Sequence, residues 1–361
     1  MRKIISLLII ISLMMTFSFA IDSSKQKNTN NRGLAGFQFL KLPATATHIA
    51  LGEANFAEND DASSIFMNVA EMVDYEGNSL YFNQQKLYDN LLTHLNIGLT
   101  TKLTERIALG FFARSLTTED IEITTLDDPD GTDITYSYQD LALGTAFAYK
   151  ATKRFSFGLK AKYVSESIYN TSASTFLFDL ATQYDIEYAN IQITTLFENY
   201  GPATKFEGND LWRSTDFVSD SEGDIPSITN PDRTANLNTK EFSAPTKITI
   251  GISMDLLGNN AFYTLEGDNK VRMYTAMAKP SDSRETGHLG LKYEYTGLTN
   301  TKLSLYSGYK YYQEEDYDNE LSFGAGIDYK ISKNFDLGAN YSYKNHESLE
   351  QSQVFSLSLN F

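Results

Sequence analysis

Residues 155–163 read FSFGLKAKY. Phe155, Phe157, Leu159, Ala161 and Tyr163 fall on one face of an extended chain, and Ser156, Gly158, Lys160 and Lys162 on the other. A period of two is the signature of a β-strand with unlike sides. Two lysines on the polar side mean that this side meets water or counter-charges, not a dry core. The same alternation returns in Arg106 to Ala113, Lys247 to Asp255 and Phe335 to Lys344, and in the close of the chain, Phe355, Leu357, Leu359 and Phe361 against Ser356, Ser358 and Asn360. Strands are expected near 79–88, 91–102, 105–116, 133–150, 154–168, 174–186, 189–199, 245–256, 261–273, 285–296, 301–312, 320–330, 334–345 and 350–361. Most have the length that crosses a bilayer when tilted, about 9–11 residues.

The links between these segments sort into two kinds. Those at Leu103-Thr104, Ala151–Lys153, Asp185–Tyr188, Leu257–Asn260, Gly297–Asn300 and Ile331–Lys333 are tight. Those at Thr117–Thr132, Tyr200–Ala244, Tyr274–Arg284 and Gln313–Asn319 are longer, while the links at Asp89-Asn90 and His346–Leu349 are brief. Tight turns on one side and long loops on the other describe a transmembrane antiparallel β-barrel of roughly fourteen strands, all-β, with both termini on the periplasmic, short-turn side. A secreted two-sheet sandwich, the competing architecture, would have shorter strands and unsorted turns.

Composition agrees. The chain has 23 Tyr, 23 Phe and 22 Gly but 7 Pro, a strand-forming and girdle-forming balance. Mean hydropathy is −0.32, which excludes helical spans but not strand spans. There is no Cys. Arg2-Lys3, the apolar run Ile4–Phe17 and the small residues Ser18 and Ala20 form a cleavable signal peptide over 1–20, so the destination is the bacterial outer membrane. The signal holds two of the 30 basic residues and no acid, so the remainder carries 28 basic against 46 acidic side chains, a balance of −18. Nucleic acid is therefore not an expected partner, since phosphate binding needs a basic face. Residues 21–32 read as a flexible polar lead and 76–361 as the barrel.

Between them, residues 33–75 are irregular and rich in Gly and Ala. The pieces Phe39-Leu40, Ala50-Leu51-Gly52-Glu53-Ala54, Asp60-Asp61-Ala62 and Asn68-Val69-Ala70-Glu71-Met72 resemble the N-terminal signature of the PorV/PorQ family, within the FadL-like outer-membrane barrels. Val69 and Glu71 replace the family's Pro and Gly, which predicts a looser turn there. Phe197–Pro202, Ala244-Pro245 and the strands around His288–Tyr295, Tyr306–Lys310 and Ser322–Gly326 continue the likeness. The resemblance implies fourteen strands, an N-terminal plug or hatch over 33–75, and a role in type IX-like secretion and cell-surface attachment. Passage of small hydrophobic molecules, as in FadL-like transporters, is the alternative.

Candidate residues follow from this reading. Phe39, Leu40, Leu42 and Asn68 are plug or binding candidates. Lys160, Lys162, Lys292, Glu294, Lys310, Asp336 and Lys344 point into the lumen, to line a passage or to pair with each other and the plug. Phe206, Trp212 and Phe217, in the longest loop, are candidates for docking a partner. Expected partners are outer-membrane lipid, secreted cargo or secretion subunits, or a small hydrophobic ligand. His48, His94, His288 and His346 are scattered without metal spacing. Asp128–Asp133 lacks the distal Glu of an EF-hand and reads as a solvated turn. No catalytic residue, metal or cofactor is expected.

Overall fold

A computed structural model describes residues 33–57, 61–88, 91–215, 233–312, 319–345 and 352–361. The signal segment and polar lead lie outside the described residues, as does Phe217. Fourteen antiparallel strands form the wall: β1 (Asn78–Leu87), β2 (Leu92–Thr104), β3 (Ile107–Thr118), β4 (Tyr138–Lys150), β5 (Phe155–Ile168), β6 (Thr171–Ile186), β7 (Ile191–Tyr200), β8 (Lys247–Gly258), β9 (Asn269–Pro280), β10 (Thr286–Leu298), β11 (Thr301–Tyr312), β12 (Glu320–Ser332), β13 (Phe335–Asn345) and β14 (Ser352–Asn360). Each pairs with its sequence neighbours. The sheet then closes on itself through β1 and β14, from Ser79 opposite Asn360 to Gln85 opposite Val354. A closed ring leaves no barrel edge to satisfy, which is what a strand-spanning protein in lipid requires. It also excludes the two-sheet sandwich.

Burial follows the alternation. On β5 and β6, Leu159, Phe176, Phe178 and Leu180 face outward, while Lys160, Lys162, Thr175 and Asp179 are buried inside. On β10, Leu289, Leu291 and Tyr293 face outward and His288 and Lys292 inward. The outer surface is therefore apolar and the inner surface polar, as the sequence pattern requires.

One strand differs from expectation. The segment 261–273 is expected as a strand, but the antiparallel wall strand is Asn269–Pro280, and Tyr263–Thr264 pairs only briefly, in parallel, with Leu257–Gly258. Residues 259–268 form a longer excursion at the tight-turn end, where Phe262 buries its ring beside Tyr188, 6.5 Å away. The β9–β10 connection at the other end is correspondingly short, Ser281–Glu285. A run of apolar residues that packs as a small cap mimics strand periodicity.

Residues 33–57 and 61–75 lie against the inner wall. They hold two short helices, α1 (Ala46–Ala50) and α2 (Ser64–Met67), and two 3-10 turns, Gln38–Lys41 and Val69–Val73. Glycines in the wall admit their backbone. A Cβ at Gly158 would stand 2.7 Å from Ala70 N, and one at Gly290 would stand 2.7 Å from Leu51 O. The turn where Val69 and Glu71 depart from the family pattern is closed: Asn68 Oδ1 accepts from Ala70 N at 3.1 Å, and Glu71 N donates to Asn68 O at 3.1 Å. The Asn68 side chain supplies the cap of this turn.

The described chain begins and ends at opposite ends of the barrel. Phe361 pairs with Asn78 at the tight-turn end. Ala35 bridges Ser243, in the long β7–β8 connection, and Gly36 N donates to Ser243 O at 3.2 Å. The N-terminal half of the expectation that both termini sit on the short-turn side falls on residues before 33, which lie outside the described residues.

Candidate functional site

The inner segment meets the wall through three polar arrangements. The first surrounds Glu53. Thr45 caps α1 by accepting from His48 N, and the chain then turns through Gly52 and Glu53, both left-handed at φ +63° and +61°. This turn aims the Glu53 carboxylate at β11 and β13. Lys310 Nζ lies 2.7 Å from Oε2 and Lys344 Nζ lies 3.3 Å from Oε1; Lys344 also pairs with Glu320. Burial opposes charge on Glu53, but Lys310 and Lys344 outweigh it and hold its carboxyl well below the usual range. His288 Nδ1 donates to Gly52 O at 2.8 Å, with the proton placed there because a carbonyl only accepts. Burial pushes the neighbouring His48 imidazole down to about 3, so it is neutral.

The second arrangement holds the 3-10 turn. Arg114 on β3 donates from Nη2 to Leu42 O at 2.8 Å and to Phe39 O at 3.3 Å, and from Nε to Asn96 Oδ1 at 3.0 Å. Its guanidinium stands 6.0 Å from the Phe39 ring centroid. Phe39 and Leu40 are thereby buried and Leu42 half-buried against the same apolar cluster.

The third lies alongside, where the β6–β7 ladder shifts register between Phe178 and Leu180. Asp179 accepts from Lys162 at 2.8 Å and from Asn199 N at 2.7 Å, with Lys160 3.3 Å away; Lys162 also reaches Asn199 Oδ1 at 2.6 Å. Asn199 takes φ +62° at this bulge. With Leu40, Phe66 and Phe112 these groups enclose a void of about 10 Å³, the size of one water.

The long-loop end carries more space. Trp212–Thr215 pairs with Arg233–Asn236, and a cleft of about 530 Å³ opens between this hairpin and residues 205–209. Phe206, Leu211, Trp212 and Leu237 give it an apolar wall, and Lys205 and Asn238 a polar one. Trp212 and Leu237 are half exposed. Phe206 instead packs on Phe242, ring centroids 5.2 Å apart, and Phe242 lies 5.7 Å from Phe37. Phe37 belongs to the buried cluster that includes Phe39, Leu40, Phe66 and Phe112. Phe206 and Phe242 thus join the outer cleft to the buried apolar cluster.

The lumen-facing residues read from the sequence sit inside as pairs. Lys160 and Lys162 share Asp179, Lys292 pairs with Glu294 at 2.8 Å, and Lys310 and Lys344 share Glu53. Asp336 is half-buried near the tight-turn end. Asn68 is fully buried and donates to Phe56 O and Gln183 Oε1, each at 2.9 Å, an arrangement that holds the turn. Arg114, Glu53 and Asp179 are central to these arrangements but carry no local mark of it in the sequence. Their partners lie far away in sequence, so no local spacing marks them; a lone acid within the apolar stretch Leu51–Phe56 was the signal available for Glu53.

Known structures share this architecture. The CymD monoaromatic hydrocarbon channel superposes with a TM-score of 0.57 at 12% identity, covering 88% of this chain and 97% of that one. The Pseudomonas putida toluene transporter TodX superposes at 0.52 with 11% identity, covering 88% and 97%. The fold is that of these channels. No family model matches the chain, and no curated protein matches it. The narrower likeness to PorV/PorQ proteins thus rests on the short motifs alone, and type IX secretion draws no support from the solved neighbours.

Proposed function

We propose that this barrel resides in the outer membrane, follows its signal peptide there, and admits small hydrophobic molecules past a plug formed by residues 33–75. One observation carries the reading: the apolar wall of the outer cleft adjoins, through Phe206, Phe242 and Phe37, the buried apolar cluster inside the barrel that holds Phe39, Leu40 and Phe112. Apolar lining with a few placed polar groups is the general make-up of small-molecule sites. The void of about 10 Å³ beside Leu40 is too small for such a solute, so passage requires residues 36–42 to leave the Arg114 cradle. The named activities of CymD and TodX favour this class of solute over secreted cargo, the other reading of the sequence.

Trp212 is the only Trp of the chain, so its fluorescence reports on the cleft alone. Toluene added to the detergent-solubilised barrel is expected to shift or quench that emission saturably. Cells lacking other uptake routes are expected to accumulate toluene several-fold faster with the parent barrel than with Phe206→Asp, at equal barrel content in the membrane. Equal accumulation by both would refute the path. If Trp212→Ala leaves toluene uptake intact yet abolishes crosslinking to secreted proteins, the docking reading replaces it.

A further inference from the structure

The plug segment 36–42 is tied to the long-loop end of the wall at a place where two acids meet. Asp140 on β4 and Glu166 on β5 stand directly opposite in the ladder, so their side chains share the inner face. Opposite positions bring Cβ atoms to about 5 Å. The pair lies at the upper edge of the lipid-facing band. Its outward neighbours Gln139, Ser165 and Ser167 are polar, and the exposed outward-facing apolar side chains of these strands begin at Leu143 and Tyr163. Asp140 is fully buried; Tyr138 donates to its Oδ2 at 2.9 Å, and its Oδ1 has no hydrogen-bond partner among the described residues. The half-buried Glu166 accepts from Phe37 N at 2.8 Å through Oε2.

Among the described residues no cation compensates this pair. The basic groups on the adjoining elements are engaged elsewhere: Arg114 on the carbonyls of the segment and on Asn96, Lys162 on Asp179 and Asn199, and Lys41 on Asp282. His94, across from Leu116 on β2, turns Nε2 to Arg114 at 3.4 Å. Leu116 faces Asp140 from β3, and Ala173 faces Glu166 from β6. Two carboxyls side by side, one of them enclosed, do not both ionise at neutral pH; the pair keeps one proton. The unpartnered Oδ1 is where a full charge would be least supported.

Phe37 gives the pair its leverage. It is fully buried and left-handed at φ +54°, a conformation that a bulky residue keeps only while its surroundings impose it. The Glu166 acceptor is one of the groups that impose it.

We propose that Asp140 and Glu166 form a proton-operated latch on residues 36–42. With one proton on the pair, Glu166 stays inward and holds Phe37 N. When that proton passes to water, the enclosed Asp140 cannot move away, so Glu166 swings toward solvent. Phe37 N then loses its acceptor and the strained segment relaxes. The latched state binds one proton more than the released state, so the latch weakens as pH rises through neutrality. On the reading that solutes pass when 36–42 moves, entry is easier in alkaline surroundings; the latch itself is tested without any solute, so its failure leaves the toluene result standing.

Hydrogen exchange of amides 37–42 is measured on the closed barrel in detergent micelles from about pH 5 to about pH 9, the range into which burial moves a carboxyl. Each rate is divided by that of the unfolded chain at the same pH, so that only protection is compared. Protection of 37–42 is expected to fall as pH rises, by up to about tenfold per pH unit, the limit for one proton. Asp140→Asn removes one acid at unchanged size, and Glu166→Gln removes the other while keeping an acceptor. Each is expected to give high protection that no longer depends on pH. Heat-modifiable migration shows which variants have closed, and if only one closes, that one decides. A parental profile that is flat or slopes the other way overturns the latch, as does a parental slope that survives in a closed variant.

Discussion

Replacing Glu53 by Gln keeps the shape of the plug turn and removes one charge. The buried group contains two acids, Glu53 and Glu320, and two lysines, Lys310 and Lys344. The variant leaves a surplus positive charge in a region where these side chains are 11–14% exposed. Removing one partner of a buried ion pair costs about 3–5 kcal/mol, and the residual exposure places this case near the lower figure. About 3 kcal/mol is roughly two decades in the ratio of docked to undocked plug. The assay is hydrogen exchange of amides 46–56 in detergent micelles, with heat-modifiable gel migration as the check that the barrel has closed. Glu53→Gln is expected to speed exchange of those amides about a hundredfold without altering the wall strands. The double variant Glu53→Gln with Lys310→Gln restores neutrality and is expected to recover most of the protection. If Glu53→Gln folds and its plug amides exchange at the parental rate, the ion pairs do not hold the plug.

Acid should act in the same direction. His48 is held at about 3 against an ordinary 6.5, and Glu53 below an ordinary 4.5. Both are depressed in the docked state, so their stabilisation is complete above pH 6.5 and is lost as pH falls from 6.5 toward 3. Plug exchange is expected to quicken through that window while the wall stays protected; a flat profile would refute it. Deleting Phe355–Phe361 removes most of β14 and strips the partner from one edge of β1, exposing backbone groups that cost several kcal/mol each in lipid. The truncated chain is expected to be absent from the outer membrane by fractionation, and normal levels there would refute the seam.

Much of the wall was legible because its physics is local. A residue's side of the strand is set by its neighbours one position away, so Phe155–Tyr163 and Phe335–Lys344 declare their faces without knowledge of the rest. Boundaries failed at Ala261–Leu265, where Phe262 packs on Tyr188 and Tyr263–Thr264 pairs briefly, in parallel, with Leu257–Gly258 instead of extending the antiparallel strand. The inner arrangements were legible only in part. The sequence places Lys160 and Lys162 on the inner face, but not Asp179 between them, since that depends on the ring closing in one register. Likewise Phe39 and Leu40 stand out as a hydrophobic pair, whereas Arg114, 75 positions from Phe39, becomes their anchor only through the fold. The Trp212 loop showed its aromatic content, but only the structure sends Phe206 inward to Phe242 and leaves Trp212 outside.

The β1–β14 seam has a consequence for how the molecule is made. Thirteen pairings join consecutive strands and zip one after another; the seam alone joins residues as distant as Ser79 and Asn360, 281 positions apart. Closing so long a loop unaided would cost about 5 kcal/mol in chain entropy, so it must come last, on a curled and nearly complete sheet. The plug immediately precedes β1 and is too closely fitted to pass a finished ring. Residues 61–75 pack on the inner wall and lead into β1, so the seam also decides when the ring closes around them: until Ser79 meets Asn360 the sheet is open at β1, and afterwards it is not.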